Sequence, residues 1–487
     1  MTATGSAPTD LSAATPLEQA AVALREVLHG DQVLTGAATQ PFRTDASTVS
    51  NDAAIVVTAT STADVQAAVR VAARFGIPFV PRGAGTGLAG GAVPPTGAIV
   101  ISTSDMCRVL SVDPVNRQAW VEPGVLNLAL SEHTAHLGLH FAPDPASQQI
   151  CSIGGNVANN SGGPHCLADG VTSAHVLAVE VVLPDGQVTV LGSEAPEPDG
   201  YDLRGAFVGS EGMLGVATRV CVRLMQDHPG VATMLMEFGS VRDGAQLVSD
   251  IIAAGIVPAA VEMMDQRCLA AVEAYLQIGL PTDAAAALLV ECVGPPAQLV
   301  AEVEQIRRLA AALGVTGVRV AADEDERALL WKGRKSAFDA VAQLKPHYHL
   351  HDSVVPRACL ADVIERVYEI ADRHELDVIN VFHAGDGNLH PLLVYDASEP
   401  GMSERVHAAG EEIVTYCVSV GGVLSGEHGI GLEKRDLMPL MFSEVDLGAQ
   451  ESLRRAFDPE FIANPDKVLP NPATCGDVRR IPAGAWI

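Results

Sequence analysis

Hydrophobic and polar residues alternate with two different periods along this chain. Between about residues 47 and 224, short apolar runs that suit β-strands are separated by glycine clusters and occasional helices. A capping sequence that begins at Ser61 predicts a helix, whose apolar face continues through residues 65, 68, 69 and 72 to a stop at Gly76. Strands are predicted at residues 77–80, 98–102, 119–121, 178–183 and 217–224.

From about residue 230 to residue 396 the pattern changes to long amphipathic helices that alternate with strands. The predicted helices are 242–254, 296–313, 323–344 and 360–374, and the predicted strands are 286–291 and 378–382. A further helix is predicted at 403–420, before a glycine-flanked segment at 425–429 and a tail rich in Pro and Asn. This order of elements is typical of a second, α+β domain.

Composition excludes several classes of protein. The chain carries 31 basic and 59 acidic residues, a net charge of −28, without a local run of Lys or Arg. Because this excess of acid repels a phosphate backbone, we expect no nucleic-acid partner. No apolar stretch reaches the ~18 residues of a membrane span, and the first 15 residues have no hydrophobic core. We therefore expect no transmembrane segment, no secretory signal, a loose N-terminal tail and a cytoplasmic location.

The nine cysteines lie far apart in the sequence, and no two of them form a Cys-x-x-Cys pair. Zinc ribbons and iron–sulfur clusters are difficult to build from this spacing. Scattered buried thiols are expected rather than disulfides. If the chain transfers electrons, its carrier is not a cluster of its own.

Three glycine-rich segments lie in the first half of the chain, at residues 81–91, 152–163 and 209–215. Glycine allows successive backbone N–H groups to face one concavity, which suits a diphosphate. Part of the first segment even matches the dinucleotide pattern G-x-G-x-x-G, but Pro94 and Pro95 disfavour the helix that a Rossmann fold needs there. No P-loop lysine follows either, and a flexible surface loop is the remaining alternative.

These segments resemble the PCMH-type FAD domain of the vanillyl-alcohol-oxidase-like flavoproteins. Three further segments extend this resemblance to the family of FAD-linked 2-hydroxy-acid oxidases, namely residues 142–147, 383–390 and 425–431. This family includes bacterial glycolate oxidase D subunits, D-lactate dehydrogenases and D-2-hydroxyglutarate dehydrogenases. The resemblance implies an α+β fold, with a two-subdomain FAD-binding domain and an α+β substrate-binding cap around an antiparallel sheet. The expected division is an N-terminal tail and helix (1–46), the FAD domain (47–226), the cap (227–424) and a segment that returns to the FAD site (425–487).

The resemblance also implies noncovalent FAD and the residues that bind it. These are Pro81, Arg82, Gly83, Ala84, Gly85, Thr86, Gly87, Leu88, Gly90, Gly91, Pro143, Asp144, Ser152, Gly154, Gly155, Asn156, Asn159, Asn160, Gly162, Gly163, Glu211, Gly212 and Gly215.

Two histidines are predicted to meet on a β-hairpin. Strand-like residues 378–382 and 389–395 flank Asp386 and Gly387, a pair preferred in two-residue turns. Counting back from this turn pairs His383 with His390. Directly opposed side chains have Cβ atoms ~5 Å apart, so the two imidazoles could share a divalent metal ion. The alternative is a pair of hairpin histidines without a ligand.

Three further residues take their roles from the resemblance. Glu427 is expected to be the third metal ligand, and this ligand set suits Zn²⁺, Mn²⁺ or Fe²⁺ with positions left open for a chelating 2-hydroxy acid. His428 is expected to be the general base for the substrate hydroxyl, with a structural role in a glycine turn as the alternative. Arg334 is expected to bind the substrate carboxylate, although it could instead pair with acidic residues one turn away. Apart from the resemblance, Phe338 lies one helical turn past Arg334 and is expected to close the pocket against large substituents.

The expected reaction is oxidation of a small 2-hydroxy acid, glycolate or D-lactate, to the 2-oxo acid by hydride transfer to flavin N5. A non-nicotinamide acceptor would take the electrons. The resemblance implies a second flavin subunit and an iron–sulfur subunit as partners, through which the chain could lie at the inner face of the membrane. The alternatives are a D-2-hydroxyglutarate dehydrogenase and a flavin-binding subunit that is active only inside a complex. A nicotinamide-dependent dehydrogenase is disfavoured by Pro94 and Pro95.

Overall fold

The N-terminal part of the chain begins with a small sheet covered by two helices. The computed structural model describes residues 14–195 and 200–470, so the expected tail at residues 1–13 and the chain end from residue 471, with Cys475, lie outside the described residues. The first elements are α1 (Pro16–Val27), β1 (Val33–Thr35), β2 (Ile55–Thr58), α2 (Thr62–Phe75), β3 (Phe79–Arg82) and β4 (Ile99–Ser102). The strand order is β1-β2-β4-β3, and only β1 is antiparallel to its neighbour.

Helix α2 confirms the predicted start and stop signals. The Ser61 hydroxyl accepts a hydrogen bond from the Asp64 N–H at 3.2 Å, and Gly76 ends the helix with a φ of 61°. The apolar face predicted from the spacing is buried against the sheet.

A second sheet in this domain is entirely antiparallel. Its strands and the elements around it are β5 (Val109–Asp113), β6 (Gln118–Val121), α3 (Asn127–Thr134), β7 (Leu139–His140), α4 (Ile153–Asn159), α5 (Cys166–Asp169), β8 (Val176–Val182), β9 (Val188–Gly192), α6 (Leu203–Phe207), β10 (Val216–Arg223) and β11 (Met225–Gln226). The main sheet has the order β5-β6-β10-β8-β9, whereas β7 and β11 form a separate pair. Two sheets with separate apolar clusters give this domain its two subdomains.

Helix α4 lies within the second glycine-rich segment, which the glycine content alone would indicate to be a loop. The Ser152 hydroxyl caps the helix by accepting a hydrogen bond from the Gly155 N–H at 3.3 Å. A Cβ atom on Gly154 would lie only 2.7 Å from the Cβ atom of Pro123. Here glycine serves the close packing of a short helix against the preceding loop.

The second domain is built around a nine-stranded sheet in which every pairing is antiparallel. Its elements, with the last helix of the described chain, are β12 (Val231–Phe238), α7 (Val241–Ala253), β13 (Ala260–Asp265), α8 (Gln266–Leu276), β14 (Ala286–Val293), α9 (Pro296–Ala312), β15 (Gly317–Val320), α10 (Glu324–Lys335), α11 (Ala337–Val341), β16 (His347–Leu350), β17 (Ser353–Val354), α12 (Leu360–Arg373), β18 (Asp377–His383), β19 (Asn388–Leu389), β20 (Pro391–Tyr395), α13 (Met402–Ser419) and α14 (Glu444–Phe457). The predicted α+β cap with an antiparallel sheet is confirmed.

The central strands of this sheet are buried on both faces. Along β12, Met234 and Met236 join the core formed with α7, α9, α12 and α13, whereas Leu235 joins the core formed with α8, α10 and α11. Alternate residues of a strand point to opposite faces, so a strand between two cores needs apolar residues at successive positions. This explains the nearly continuous apolar sequence of β14.

The prediction of one continuous helix over residues 323–344 is wrong, because Ser336 interrupts the helix. The interruption divides it into α10 and α11, and it allows Ala337 and Ala340 to join the apolar core beside α8. The other predicted helices of this domain begin and end close to their predicted limits. Within the described ranges, no helix combines the length and apolar character of a membrane crossing.

The last described residues run back to the N-terminal domain. Ala463 forms a parallel β-bridge with Phe79, and Asn464 Nδ2 donates hydrogen bonds to the backbone oxygens of Gly91 (2.8 Å) and Glu211 (2.6 Å). The Leu432 N–H donates to the backbone oxygen of Ala89 at 2.8 Å. The segment after the cap therefore contacts the first and third glycine-rich segments.

Gly431→Ala is expected to disrupt this contact. Gly431 has a φ of 52°, and a Cβ atom there would overlap the backbone oxygen of Ala89. Strain of ~1–2 kcal/mol and overpacking of ~1–3 kcal/mol should lower the free energy of unfolding, as measured by urea denaturation. The matched control is Gly36→Ala, which has a φ of 63° but open space around the new Cβ atom. Equal losses in the two variants would contradict the close contact.

Candidate active site

A cavity of about 830 Å³ is lined by both domains. The cap contributes Lys335, Phe338, Asp339 and Tyr348, and the C-terminal segment contributes Glu427 and His428. Most of the expected FAD-binding residues also line it, namely Pro81, Gly83, Ala84, Gly85, Thr86, Gly87, Leu88, Gly91, Ser152, Gly155, Asn156, Asn159, Glu211 and Gly212. The three glycine-rich segments therefore meet at one cavity, beside the expected base and one expected metal ligand.

Other expected cofactor residues lie elsewhere. Arg82, Gly154 and Gly215 line a smaller cavity of about 50 Å³, which shares Pro81 and Gly83 with the larger one. Six lie outside the lining of both cavities: Gly90, Pro143, Asp144, Asn160, Gly162 and Gly163.

The carboxylate of Asp144 is paired with His165 Nδ1 at 2.7 Å and does not line the larger cavity. Its neighbours Pro145, Ala146 and Ser147 line the larger cavity instead. The motif at residues 142–147 therefore includes residues that line the cavity, whereas Pro143 and Asp144, two of the expected FAD-binding residues, do not line it.

The first glycine-rich segment lines the cavity with irregular backbone. Residues 83–98 form neither helix nor strand, as Pro94 and Pro95 predict. In the described part of the chain, the backbone N–H groups of residues 84–88 have no hydrogen-bond partner. Backbone donors left free around a concavity form an anion site, and here they could receive a diphosphate without a Rossmann helix.

The two hairpin histidines meet, although the predicted register is wrong. His383 pairs with Asn388 and not with His390, because the loop contains the four residues 384–387. Asp386 Oδ1 closes this loop by accepting a hydrogen bond from the Asn388 N–H at 3.1 Å. The observed register differs from the predicted one by two residues, which is an even number. The side chains of His383 and His390 therefore still lie on the same face of the sheet. His390 lies diagonally opposite His383, and their ring centres are 5.0 Å apart.

His383, His390 and Glu427 form a compact ligand set. The Nε2 atoms of both histidines lie 3.4 Å from Glu427 Oε1. Ligand atoms ~2.1 Å from a tetrahedral ion are separated by roughly 3.4 Å, so these positions fit one divalent cation. Neither ring nitrogen of the buried His390 has a hydrogen-bond partner among the described residues. A metal ion would supply that partner.

Glu262, which has no sequence motif, lies behind this ligand set. Its Oε1 is 2.8 Å from His383 Nδ1, and its Oε2 is 2.6 Å from Arg334 Nη2. Burial opposes ionisation of Glu262, but the nearby Arg334 and His383 lower its pKa below the ordinary value. A carboxylate in this position fixes the tautomer and orientation of a ligating imidazole.

Arg334 is buried against Glu262 and is not among the residues that line the large cavity. Its Nε has no hydrogen-bond partner in the described part of the chain. Arg334 Nη2 is at ion-pair distance from Glu262 without meeting hydrogen-bond geometry, so Nε is the donor of the guanidinium that has no acceptor near it among the described residues. On the same helix, the Lys335 ammonium lies 5.9 Å from the ring centre of Trp331.

Asp352, also missed by the sequence motifs, organises the turn that carries Glu427 and His428. It is fully buried and accepts hydrogen bonds from the Ser425 hydroxyl at 2.5 Å, from the backbone N–H groups of residues 426–428 at 2.9–3.3 Å, and from Lys434 Nζ at 3.2 Å. Adjacent side chains of a strand would point to opposite faces. The turn around Asp352 instead directs both of them into the cavity.

His428 stacks on His390, with ring centres 5.2 Å apart. Its Nδ1 lies 3.8 Å from Asp352 Oδ2, and its Nε2 lies 4.0 Å from Glu427 Oε1. Burial lowers the pKa of His428 to about 4. The imidazole is therefore neutral at pH 7 and can accept a proton.

Asp352, His390 and His428 form a second set of close ligand atoms. Asp352 already accepts several hydrogen bonds, one of them from the Lys434 ammonium. A cation at this position would be repelled by that charge. The set that contains Glu427 is therefore the better candidate metal site.

The two parts of the chain match two known families. Residues 53–192 match the family described as "FAD binding domain", and residues 228–468 match "FAD linked oxidases, C-terminal domain". The chain is 42% identical over 453 residues to glycolate oxidase subunit GlcD of Escherichia coli K12, an alignment that covers 93% of this chain and 90% of the relative. The chain belongs to the family of FAD-linked oxidases. The predicted FAD cofactor and oxidoreductase class are thereby confirmed.

Other relatives of this FAD-linked oxidase are similar over most of their length. GlcD of Bacillus subtilis is 38% identical, with 85% of this chain and 88% of the relative aligned. A D-lactate dehydrogenase of Archaeoglobus fulgidus is 32% identical, with 85% and 91% aligned.

Solved structures share the fold of this FAD-linked oxidase. p-Cresol methylhydroxylase superposes with a TM-score of 0.79 at 18% identity, covering 93% of this chain and 97% of the other. 4-Ethylphenol oxidase from Gulosibacter chungangensis gives a TM-score of 0.77 at 22% identity, with 96% and 99% covered. At these identities the likeness shows the fold alone, and it confirms the predicted PCMH-type architecture.

Asp352→Asn is expected to destabilise this FAD-linked oxidase by ~3–5 kcal/mol, because the buried Lys434 ammonium loses its counter-charge. The measurement is the free energy of unfolding in urea. The double variant Asp352→Asn/Lys434→Met should lose less than the sum of the single changes. Additive losses would show that the two charges do not interact.

Proposed function

We propose that this FAD-linked oxidase oxidises a small 2-hydroxy acid, glycolate or D-lactate, to the 2-oxo acid in a metal-dependent reaction. The observation that carries the proposal is that Glu427 and His428 line the glycine-lined cavity and lie against the buried His383 and His390. The relatives support the substrate class, since they include glycolate oxidase subunits and D-lactate dehydrogenases.

FAD would occupy the large cavity noncovalently. The free N–H groups of residues 84–88 would bind its diphosphate, and the Ser152–Asn159 part of the second glycine-rich segment would line its path. When bound, FAD supplies the acceptor for the hydride from substrate C2.

A divalent ion, Zn²⁺, Mn²⁺ or Fe²⁺, would be held by His383, His390 and Glu427. Such an ion acts as a Lewis acid and lowers the pKa of a coordinated substrate hydroxyl. Glu262 would keep His383 in the tautomer whose Nε2 is free to coordinate.

The chain's own side chains would handle the proton and the substrate charge. The neutral imidazole of His428 would take the hydroxyl proton while the turn around Asp352 holds it in place. Arg334 would use its free Nε–H for the substrate carboxylate while Glu262 holds the other side of the guanidinium.

Phe338 supports a small substrate. Its ring centre lies 6.4 Å from that of His390, and it lines the cavity. An apolar ring beside the ligand set favours a hydrogen or methyl substituent at C2 over a chain that ends in a second carboxylate. This favours glycolate or D-lactate over D-2-hydroxyglutarate.

A second candidate function is that of a flavin-binding subunit active only inside a complex. The observation that favours it is that two relatives are themselves named as subunits of glycolate oxidase. A second flavin subunit and an iron–sulfur subunit as electron acceptors stay predictions, as do a cytoplasmic location and attachment to the inner face of the membrane.

Anaerobic addition of glycolate or D-lactate is expected to bleach the flavin absorbance band of the FAD-loaded protein. His428→Asn should bind FAD normally but slow this reduction by at least ~100-fold, since a general base contributes 10²–10⁴-fold. His133→Asn, at an exposed histidine of α3, is the control. Normal bleaching by His428→Asn would remove His428 as the base. No bleaching by any 2-hydroxy acid would favour the complex-dependent subunit.

Removal of metal with a chelator is expected to abolish flavin reduction and leave FAD bound, and Zn²⁺, Mn²⁺ or Fe²⁺ should restore it. Glu262→Gln should weaken metal binding by ~10–100-fold in calorimetric titration, because His383 loses its orienting carboxylate. Glu365→Gln, at an exposed carboxylate, is the matched control. Full activity of protein shown to be free of metal would contradict the metal site.

A further inference from the structure

One segment of the FAD domain, residues 162–169, packs against the proposed metal-ligand set; we call it the docking segment. A Cβ atom on Gly162 would lie 3.2 Å from the Cβ atom of Glu427. A Cβ atom on Gly385, in the hairpin loop of the cap, would lie 2.8 Å from Leu167 Cδ2. At both places the backbone approaches closely because glycine has no side chain. The position of this segment is therefore coupled to the position of the ligand set.

His165, in the middle of the docking segment, lies between two carboxylates that belong to different domains. Its Nδ1 is 2.7 Å from Asp144 Oδ2, in the loop of the FAD domain whose next residues line the large cavity. Its Nε2 is 3.6 Å from Glu291 Oε1, on β14 of the cap. Its ring also stacks on Trp331 of α10, with ring centres 5.6 Å apart. His165 therefore connects the cavity loop with two elements of the cap.

Glu291 does not need His165 for its own burial. It is 1% exposed, and it accepts hydrogen bonds from the Thr233 hydroxyl at 2.6 Å and from Trp331 Nε1 at 2.7 Å. The Arg327 guanidinium donates to both of its oxygens, at 2.8 and 2.9 Å. These donors all belong to the cap, and they already occupy both carboxylate oxygens. The contact with His165 therefore serves the junction between the domains.

The charges around His165 keep its imidazole protonated. Asp144 faces it from the loop before the docking segment, and Glu291 faces it from the cap with Arg327 behind. Burial lowers the pKa of His165, but the two carboxylates outweigh burial and raise the pKa to about 10. An imidazolium donates from both ring nitrogens, and its charge favours stacking on an indole ring. At pH 7 both domains therefore hold the same cation.

We propose that His165 is a positioning residue that fixes the cap against the FAD domain at the distance that hydride transfer requires. The side chains proposed to hold the substrate, those of Arg334, His383 and His390, all lie on the cap, whereas the FAD domain supplies most of the cavity lining. Domains joined by polar contacts move relative to one another unless a contact holds them. His165 acts on the distance between substrate and flavin, and not on the affinity for the substrate. This inference rests on the proposed function.

The first test is anaerobic reduction of the FAD-loaded protein, followed by stopped-flow absorbance. His165→Gln removes the charge, so the limiting rate at saturating glycolate or D-lactate should fall ~10–100-fold, because a misplacement of ~1 Å can cost about 100-fold. The substrate Kd should change by less than about threefold, since the residues that bind the substrate stay together on the cap. An unchanged limiting rate, or a rise in Kd that accounts for the whole loss, would overturn the proposal.

His140→Gln is the matched control. His140 Nδ1 lies 2.8 Å from Asp227 Oδ1, so it forms the same kind of pair, but neither residue lines the large cavity or belongs to the docking segment. This variant should be reduced at the wild-type rate.

A double-variant cycle tests the ion pair itself. Glu291→Gln should also slow reduction, and His165→Gln/Glu291→Gln should lose less than the product of the two single losses, because both changes remove one interaction. Losses that simply multiply would overturn the ion pair. If Glu291→Gln does not fold, Asp144→Asn takes its place in the cycle with the same expectation.

The second test does not depend on turnover. With FAD bound, hydrogen–deuterium exchange of the docking segment and of the hairpin loop 384–387 should be at least about tenfold faster in His165→Gln than in wild type or His140→Gln. NMR of the ¹⁵N-labelled protein should show both ring nitrogens of His165 protonated at pH 8, with His165→Gln identifying the signal.

Unchanged exchange in His165→Gln, or a neutral His165 at pH 8, would overturn the proposal. A protein that oxidises no 2-hydroxy acid but shows the expected exchange and protonation would instead refute the proposed function, and it would leave the connection between the domains intact.

Discussion

The buried carboxylate of Asp352 is the constraint on which the geometry of the site depends. An ion without water is tolerated only when its lone pairs are occupied, and here a hydroxyl, successive backbone N–H groups and the Lys434 ammonium occupy them. The same hydrogen bonds bend the chain after Ser425. Because of that bend, Glu427 lies beside the two histidines of the cap hairpin, while the next residue, the proposed base, faces the cavity. The conformation of a short turn therefore determines where the chemistry can occur.

A second buried carboxylate, Glu262, couples two functions that would otherwise be separate. It contacts the imidazole of a proposed metal ligand and the guanidinium proposed to hold the substrate. The chain as a whole carries a charge of −28, which does not attract an anionic acid from a distance. Local cations must therefore bind it. Arg334 and a bound metal ion are the candidates. Arg334 contacts Glu262 directly, and the metal ion would be held by His383, the histidine that Glu262 orients.

Much of the fold could be predicted because the spacing of hydrophobic residues along the sequence indicates which face of a helix or strand is buried. Because side chains alternate between the two faces of a strand, the sequence predicted that His383 and His390 lie on one face. That prediction holds although the observed register is different. The register could not be predicted because the loop length depends on a tertiary contact, in which Gly387 packs against the backbone of Val355. Glu262 and Asp352 belong to no motif. An acidic residue inside the apolar strand β13 was nevertheless a visible signal, because a buried charge needs a partner.

The β-bridge between Phe79 and Ala463 has a consequence for how the molecule assembles. These residues lie near opposite ends of the described chain, and the whole cap lies between them in sequence. Contacts of such long sequence separation slow folding, because loop-closure entropy is lost before they form. The cap, whose strand pairings are all internal to it, can fold before the flavin domain receives its last segment. The cavity is complete only when the segment after the cap, which supplies Glu427 and His428, lies against the first domain.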